Sequence, residues 1–241
     1  MIVKSAGIVL HAFDFKESSL IAHVYTREYG RLSLMANGVR KRRPAFHRSL
    51  FQPLSLVDLV FYMNEKHEIQ RIKDIRFEHA FNEIPYQIEK STIAMFLAEV
   101  LYKVIKEQEP SHPLFSFLQH GIEILDNLEG GISNFHLLFL IQLSRYIGFF
   151  PENNFSDVNK YFNLQKGRYY PIDSNDKLSF NTEVSKKWHE ASTLPLNEAL
   201  GLKVNNEERT ILLKGVVDYY SLHFGHLGEI KSYAVLHQVF S

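Results

Sequence analysis

Two stretches of strict period-two alternation, joined by a three-residue turn, constrain this chain more than any other feature. Over residues 19–27, Leu20, Ala22 and Val24 fall on one face and Ile21, His23 and Tyr25 on the other. Glu28-Tyr29-Gly30 supplies the turn, and over 31–37 Leu32, Leu34 and Ala36 point inward while Arg31, Ser33 and Met35 point outward. A side-chain period of two belongs to extended backbone, so the pair predicts an antiparallel hairpin with one apolar face. A lone hairpin is marginal in water, so that face requires further strands or a helix to cover it.

The flanking sequence provides them. Residues 2–15 read as a long strand, with Ile8, Leu10 and Ala12 alternating against Val9, His11 and Phe13. Gly7 interrupts the run as glycine does at bulges and barrel corners. Residues 50–63 are a long apolar stretch rich in valine, leucine and aromatics, which predicts a buried strand bent near Asp58. Over 67–77, Ile69, Ile72 and Ile75 recur every three residues; either a bulge shifts the register of a fifth strand or the segment is a short helix, and we read a strand. Five strands without an intervening helical pattern predict a small closed or nearly closed barrel. The OB-fold is the common five-stranded solution and binds oligonucleotides, but an SH3-like barrel satisfies the same pattern.

The texture changes at Asn82-Glu83-Ile84-Pro85, after which apolar residues fall at 93, 96, 97, 100, 101, 104 and 105, an amphipathic helix. A second helix is predicted over 114–128, stopped by Gly130-Gly131. A third, over 134–147, is apolar nearly all round, as expected of a helix surrounded by others. Within an Asn-, Asp-, Pro- and Gly-rich region at 150–182, residues 161–170 read as a hairpin with two aromatic arms around Gly167. Helices follow near 183–190, 195–201, 207–226 and 231–240. The fold class is therefore α+β in two domains: a five-stranded barrel over 1–80, then an all-α domain over 81–241 carrying a small β-hairpin insertion. The most apolar window, 135–143, is far shorter than the ~20 residues that span a bilayer, and no secretion signal opens the chain, so a cytoplasmic protein without membrane association is expected.

Lysines plus arginines equal aspartates plus glutamates at 27 each, yet the balance is uneven. Residues 1–80 carry 13 basic side chains against 8 acidic, leaving 14 against 19 for the rest, so a polyanion should meet the first third of the chain. The excess concentrates in the connection after the third strand, Asn37-Gly38-Val39-Arg40-Lys41-Arg42-Arg43-Pro44-Ala45-Phe46-His47-Arg48. Adjacent like charges repel, so either a phosphate backbone is the counterpart or the loop is merely solvated. Phe46 within it reads as a base-stacking ring or as an anchor for the loop.

Other chemistry has little support. With no cysteine, disulfides, thiolate catalysis and cysteine-ligated zinc are excluded. P-loop, GxGxxG, GxSxG and HExxH patterns are absent. Among twelve histidines, His223, His226 and His237 are the nearest to a metal set, but they read as core or polar-face residues. The carboxylate pairs Asp126 with Glu129 and Glu207 with Glu208 read as solvated helix faces. No catalytic residue, metal or cofactor is expected.

The run GIVLHAFDFKESSLIAHVYTREYGRLSLMANGVRKRR, continuing to LFQPLSL, resembles the N-terminal domain of RecO, the bacterial recombination mediator family; the specific elements are ESS, TREYGRLS and GVRKRR. The segment SLHFGHLGEIKSYAVLHQ is similar to the end of that family. The resemblance implies an N-terminal OB-fold and a helical domain, binding of single- and double-stranded DNA, and annealing of complementary strands. It also implies contact with the acidic tail of single-strand DNA-binding protein, cooperation with RecR, and indirect action on RecA in the nucleoid. Carried onto this chain, DNA binding falls to Arg40, Lys41, Arg42 and Arg43, then Arg48 and Arg31. Many members carry a four-cysteine zinc module after a turn that here is Gly148-Phe149-Phe150-Pro151. This chain has none, so the aromatic arms of the 161–170 hairpin are expected to staple that region instead. A different reading, an adaptor whose helical domain docks acidic partner tails with DNA binding secondary, also fits.

Overall fold

The structure, a computed structural model, describes residues 1–41, 43–106, 109–173, 177–225 and 227–240. In chain order the elements are β1 (Ile2–Phe15), β2 (Ser19–Thr26), β3 (Gly30–Ala36), β4 (Leu56–Tyr62) and β5 (Ile69–Phe77), then α1 (Ile88–Val104), α2 (His112–Asn127) and α3 (Ile132–Leu143). The hairpin strands β6 (Tyr161–Asn163) and β7 (Arg168–Tyr170) follow, then α4 (Thr182–Thr193), α5 (Leu196–Ala199), α6 (Asn206–Phe224) and α7 (Ser232–Phe240). Packing groups these into two compact units, Met1–Asn127 with Ile230–Leu236 and Leu128–Glu229 with His237–Ser241. The 1–80 and 81–241 division read from sequence follows the change from strands to helices, whereas compactness places α1 and α2 with the strands.

In the first unit the five strands close into a barrel in the order β1-β2-β3-β5-β4. Every pairing is antiparallel except β3 with β5. This is the Greek-key order of the OB-fold, which decides against an SH3-like barrel. The length of β1 makes the closure possible: Ile2 to Ile8 pair with β4 and Gly7 to Phe15 with β2. Gly7 sits where β1 serves both neighbours, and a Cβ there would lie 2.7 Å from Val24 Cγ1 and 2.9 Å from Leu59 Cδ1. Only a bare backbone leaves room for both side chains.

Val9, Leu20, Ala22, Val24, Leu34, Ala36, Val57, Leu59 and Phe61 fill the interior, as the alternation of β2 and β3 predicts. The period of three in β5 has a mechanical cause. Val60 pairs with Asp74 but Phe61 with Ile72, so a bulge at Lys73 brings both Ile72 and Ile75 inside. Gln70 rather than Ile69 takes the next inward position, bonded to the Asn64 amide (2.8 Å).

The stretch 50–63 is not one strand. A 3-10 turn covers Arg48–Phe51, Leu54 adopts φ +62°, and β4 starts only at Leu56. Leu50 and Phe51 belong to the barrel core rather than to the sheet. The Leu54 amide donates to the Val9 carbonyl (2.8 Å) and the Val9 amide to the Ser55 carbonyl (3.0 Å), so this segment satisfies β1 where its pairing with β2 is bulged.

Two helices complete the first unit. The amide of Ser111, just before α2, donates to the Tyr25 hydroxyl (3.2 Å), and the Arg27 guanidinium lies 4.8 Å from the Phe115 ring centre. Asp126, at the end of α2, was expected on a solvated face but is fully buried. It accepts the amides of Asn82, Glu83 and Ile84 at 2.9, 3.0 and 2.9 Å, which fixes the connection between β5 and α1. Buried Lys90 donates to the Asp126 carbonyl (2.8 Å) and pairs with Glu83. Glu129 lies beyond the end of α2.

In the second unit α3 is buried on almost every side. The hairpin is held by rings: Phe162 and Tyr169 pack at 4.8 Å, and Phe162 lies 5.1 Å from Trp188 and 5.9 Å from Tyr219. Glu208, expected on a solvated face, closes a capping box with Asn205 at the start of α6. No helix among the described residues is long and apolar enough to cross a membrane.

Candidate nucleic-acid interface

The basic connection leaves β3 at Asn37, whose Oδ1 accepts from the Ser19 hydroxyl (2.9 Å). Gly38 takes φ +75°, which turns the chain sharply; its carbonyl accepts the amides of Lys41 (3.4 Å) and Ala45 (3.3 Å). Val39 then drops into the barrel core and Phe46 packs partly against the same core. Phe46 is thus an anchor rather than a displayed ring. Two apolar side chains hold the loop down, and Arg40, Lys41 and Arg43 between them are exposed.

Those cations divide into two sets. Arg40 is tethered: its guanidinium donates to the carbonyls of Lys16 and Glu17, the latter at 2.6 Å, and lies 3.5 Å from Asp14. Arg48 donates to the other oxygen of Asp14 (2.8 Å). One carboxylate of β1 therefore clamps both ends of the basic run onto the β1–β2 turn, although pairs as exposed as these contribute little stability each. Lys41 and Arg43 are exposed, and no side-chain hydrogen bond or ion pair engages either among the described residues. Arg42 lies outside the described residues.

Arg31 is placed differently. It points outward as the alternation predicts, but its guanidinium donates to the carbonyls of Tyr102 (2.8 Å) and Ile105 (2.6 Å) at the C-terminal end of α1. It also lies 4.4 Å from the Tyr102 ring centre. A cation at a helix C-terminus satisfies orphan carbonyls and opposes the helix dipole. Burial lowers its pKa somewhat, and Tyr102 opposes that shift. The geometry makes Arg31 a cap for α1.

Sequence reasoning did not identify Asp14 as the clamp, because nothing local distinguishes it from a solvated acid. Of the histidines considered for metal binding, His223 finds another role. His223 Nε2–H donates to the Leu164 carbonyl (3.0 Å) and its ring stacks on Phe149 at 5.5 Å. His226 lies outside the described residues. No group of three or more potential metal ligands occurs among the described residues.

Two family models match the chain: the N-terminal model of recombination protein O over residues 1–81 and the C-terminal model over 85–234. The chain is 32% identical to a DNA repair protein RecO of Phocaeicola vulgatus, with full coverage of both chains. It is 33% identical to the corresponding protein of Flavobacterium johnsoniae and 28% identical to that of Porphyromonas gingivalis, again over the full length of each. An OB-fold barrel, a basic loop clamped at its ends and end-to-end similarity to these relatives converge on one conclusion: the chain belongs to the RecO family of DNA repair proteins.

Proposed function

We propose that this protein is a non-catalytic recombination mediator that binds single- and double-stranded DNA through the β3–β4 loop and anneals complementary strands. The observation that carries the reading is the pair of uncommitted cations, Lys41 and Arg43, on a loop whose other described arginines are already bonded. Neutralising phosphates on two strands lowers the repulsion that opposes pairing. Arg40 and Arg48 border the contact and Arg42 lies within its sequence span, whereas Arg31 is kept out of it by its role on α1. Family membership supports the partners: RecR, the acidic tail of single-strand DNA-binding protein, and RecA indirectly, in the nucleoid-containing cytoplasm.

Titrating a fluorescent single strand at several salt concentrations tests this. Engagement of four or five phosphates gives a slope of about −3 in log affinity against log salt, a fall of about 60-fold from 50 to 200 mM. A slope near zero overturns the reading.

The same exposed cations also match carboxylates, which favours the adaptor as a second reading. A variant with Lys41 and Arg43 replaced by alanine that loses an acidic tail peptide but keeps DNA would select it.

A further inference from the structure

β1 outruns its neighbour on one flank. β4 accompanies it only from Ile2 to Ile8, and the bonds of Leu54 and Ser55 to the Val9 main chain are the last on that side. On the opposite flank β2 continues to pair as far as Phe15. Among the described residues, no hydrogen bond reaches the main chain of 11–15 from the vacated flank. Val9 turns its N–H and C=O to that flank, and the bulge after it shifts the alternation by one residue, so Ala12 and Asp14 turn theirs the same way. The same shift carries Ala12 against the barrel core. The barrel is closed, yet the end of its longest strand keeps an open edge, the template on which another strand can pair.

A groove of about 510 Å³ adjoins this edge. Its walls are residues 10–12 of β1, Phe51 and Pro53, Met95 and Tyr102 of α1, and Val235 of α7. Phe51 and Pro53 directly precede Leu54 and Ser55, the last partners of β1 on that side, which places the groove on the vacated flank. Met95 and Val235 are 38% and 41% exposed, so apolar surface of both helices faces water there.

Charge selects the occupant. Lys103 and Lys231 also line the groove, and its one carboxylate, Glu99, is already engaged. Glu99 accepts the amides of Lys231 (3.0 Å) and Ser232 (2.9 Å) and the Ser232 hydroxyl (2.5 Å), which caps the start of α7. Two cations beside a committed acid favour a partner that carries carboxylates. An open strand edge beside an apolar groove favours one that is extended, because its main chain can complete the ladder while alternate side chains fill the groove.

We propose that this groove takes up an extended acidic segment of a partner protein by strand addition to β1. The added main chain pairs with Ala12 and Asp14, its apolar side chains enter beside Met95 and Val235, and its carboxylates meet Lys103 and Lys231. The inference stands apart from the nucleic-acid reading of the β3–β4 loop, since it uses neither Lys41 nor Arg43.

The test titrates the full chain into a fluorescent octapeptide of alternating glutamate and valine. Saturable binding is expected, weakened about 10-fold by Val235→Glu and by Lys231→Glu, with the DNA salt slope and the unfolding midpoint of both variants unchanged. Peptides N-methylated at the valines and at the glutamates are expected to differ about 10-fold in affinity, because only one set of amides faces β1. No saturable binding below about 1 mM overturns the proposal. So does equal binding of a lysine–valine peptide, an equal effect of the two methylations, or affinity untouched by Val235→Glu. Loss of the peptide on replacing Lys41 and Arg43 by alanine, with Val235→Glu silent, would put the peptide on the loop instead and also overturn the groove. Failure of the loop reading shows separately, as wild-type DNA binding without a salt slope.

Discussion

The β3–β4 loop and the β6–β7 hairpin are both connections built around a glycine of positive φ, and they are held by opposite means. The hairpin is fixed by burial: Phe162 is packed among Trp188, Phe180 and Tyr219, and Tyr169 against Phe155 and Phe162. The loop is fixed by two apolar footholds and one shared carboxylate, with Lys41 and Arg43 left in water. Ring packing in a core contributes stability but displays nothing. Tethering a loop at its ends contributes little stability but presents charge in a defined place.

The largest expected effect tests the hairpin. Trp188→Ala should lower unfolding free energy by about 4 kcal/mol, since it opens a cavity against Phe162 of β6. Denaturant titration followed by circular dichroism measures it, and a loss below about 1 kcal/mol would show that the aromatic packing is not what staples this region.

Acid should weaken the second unit next. His136 on α3 is buried and held at about 3 by burial and by the charge of Arg209. Its folded value lies below the unfolded value, so the unfolded chain binds the extra proton. The contribution is complete above pH ~6.5 and falls progressively toward pH 3. At pH 5 the loss should be about 2 kcal/mol, read from urea midpoints with the fluorescence of the single tryptophan, Trp188. His136→Gln should flatten that dependence. Arginines keep their charge throughout, so the DNA salt slope should change far less over the same range.

Exchanging Lys41 and Arg43 together for alanine should leave stability within about 0.5 kcal/mol, as for most surface changes. The single-strand salt slope should become shallower by about 1.4, corresponding to two phosphates. An unaltered slope would break the comparison, because the loop would then present charge to no purpose.

The smallest effect separates tether from charge. Asp14→Asn removes both ion pairs at a cost below about 1 kcal/mol and leaves two arginines unpaired. Single-strand affinity should rise modestly with a steeper slope; weaker binding would mean that holding the loop in place matters more than the charge it carries.

Much of this was legible residue by residue. The alternation of Leu20, Ala22 and Val24 against Ile21, His23 and Tyr25 placed β2 and its inner face, because period two has one backbone explanation. The aromatic arms marked the hairpin, and the clustered cations marked the loop. Asp126 was not legible: its partners Asn82, Glu83 and Ile84 are more than forty positions away, and an acid at a helix end reads as solvated. The start of β4 was missed for a related reason. Leu50, Phe51 and Leu56 are equally apolar, and only the closed barrel separates residues that plug its core from residues that pair in its wall.

Composition and periodicity alone determined that the chain begins with about five strands, continues as helices and clusters basic side chains in one connection, since these are local properties of backbone and side chain. Tertiary structure decided the rest. The parallel pairing of β3 with β5 selected the OB-fold, Asp14 selected which arginines are tethered, and the end of α1 claimed Arg31. Each of these depends on groups distant in sequence competing for the same hydrogen-bonding partner or the same space, and that competition has no outcome until the chain has closed on itself.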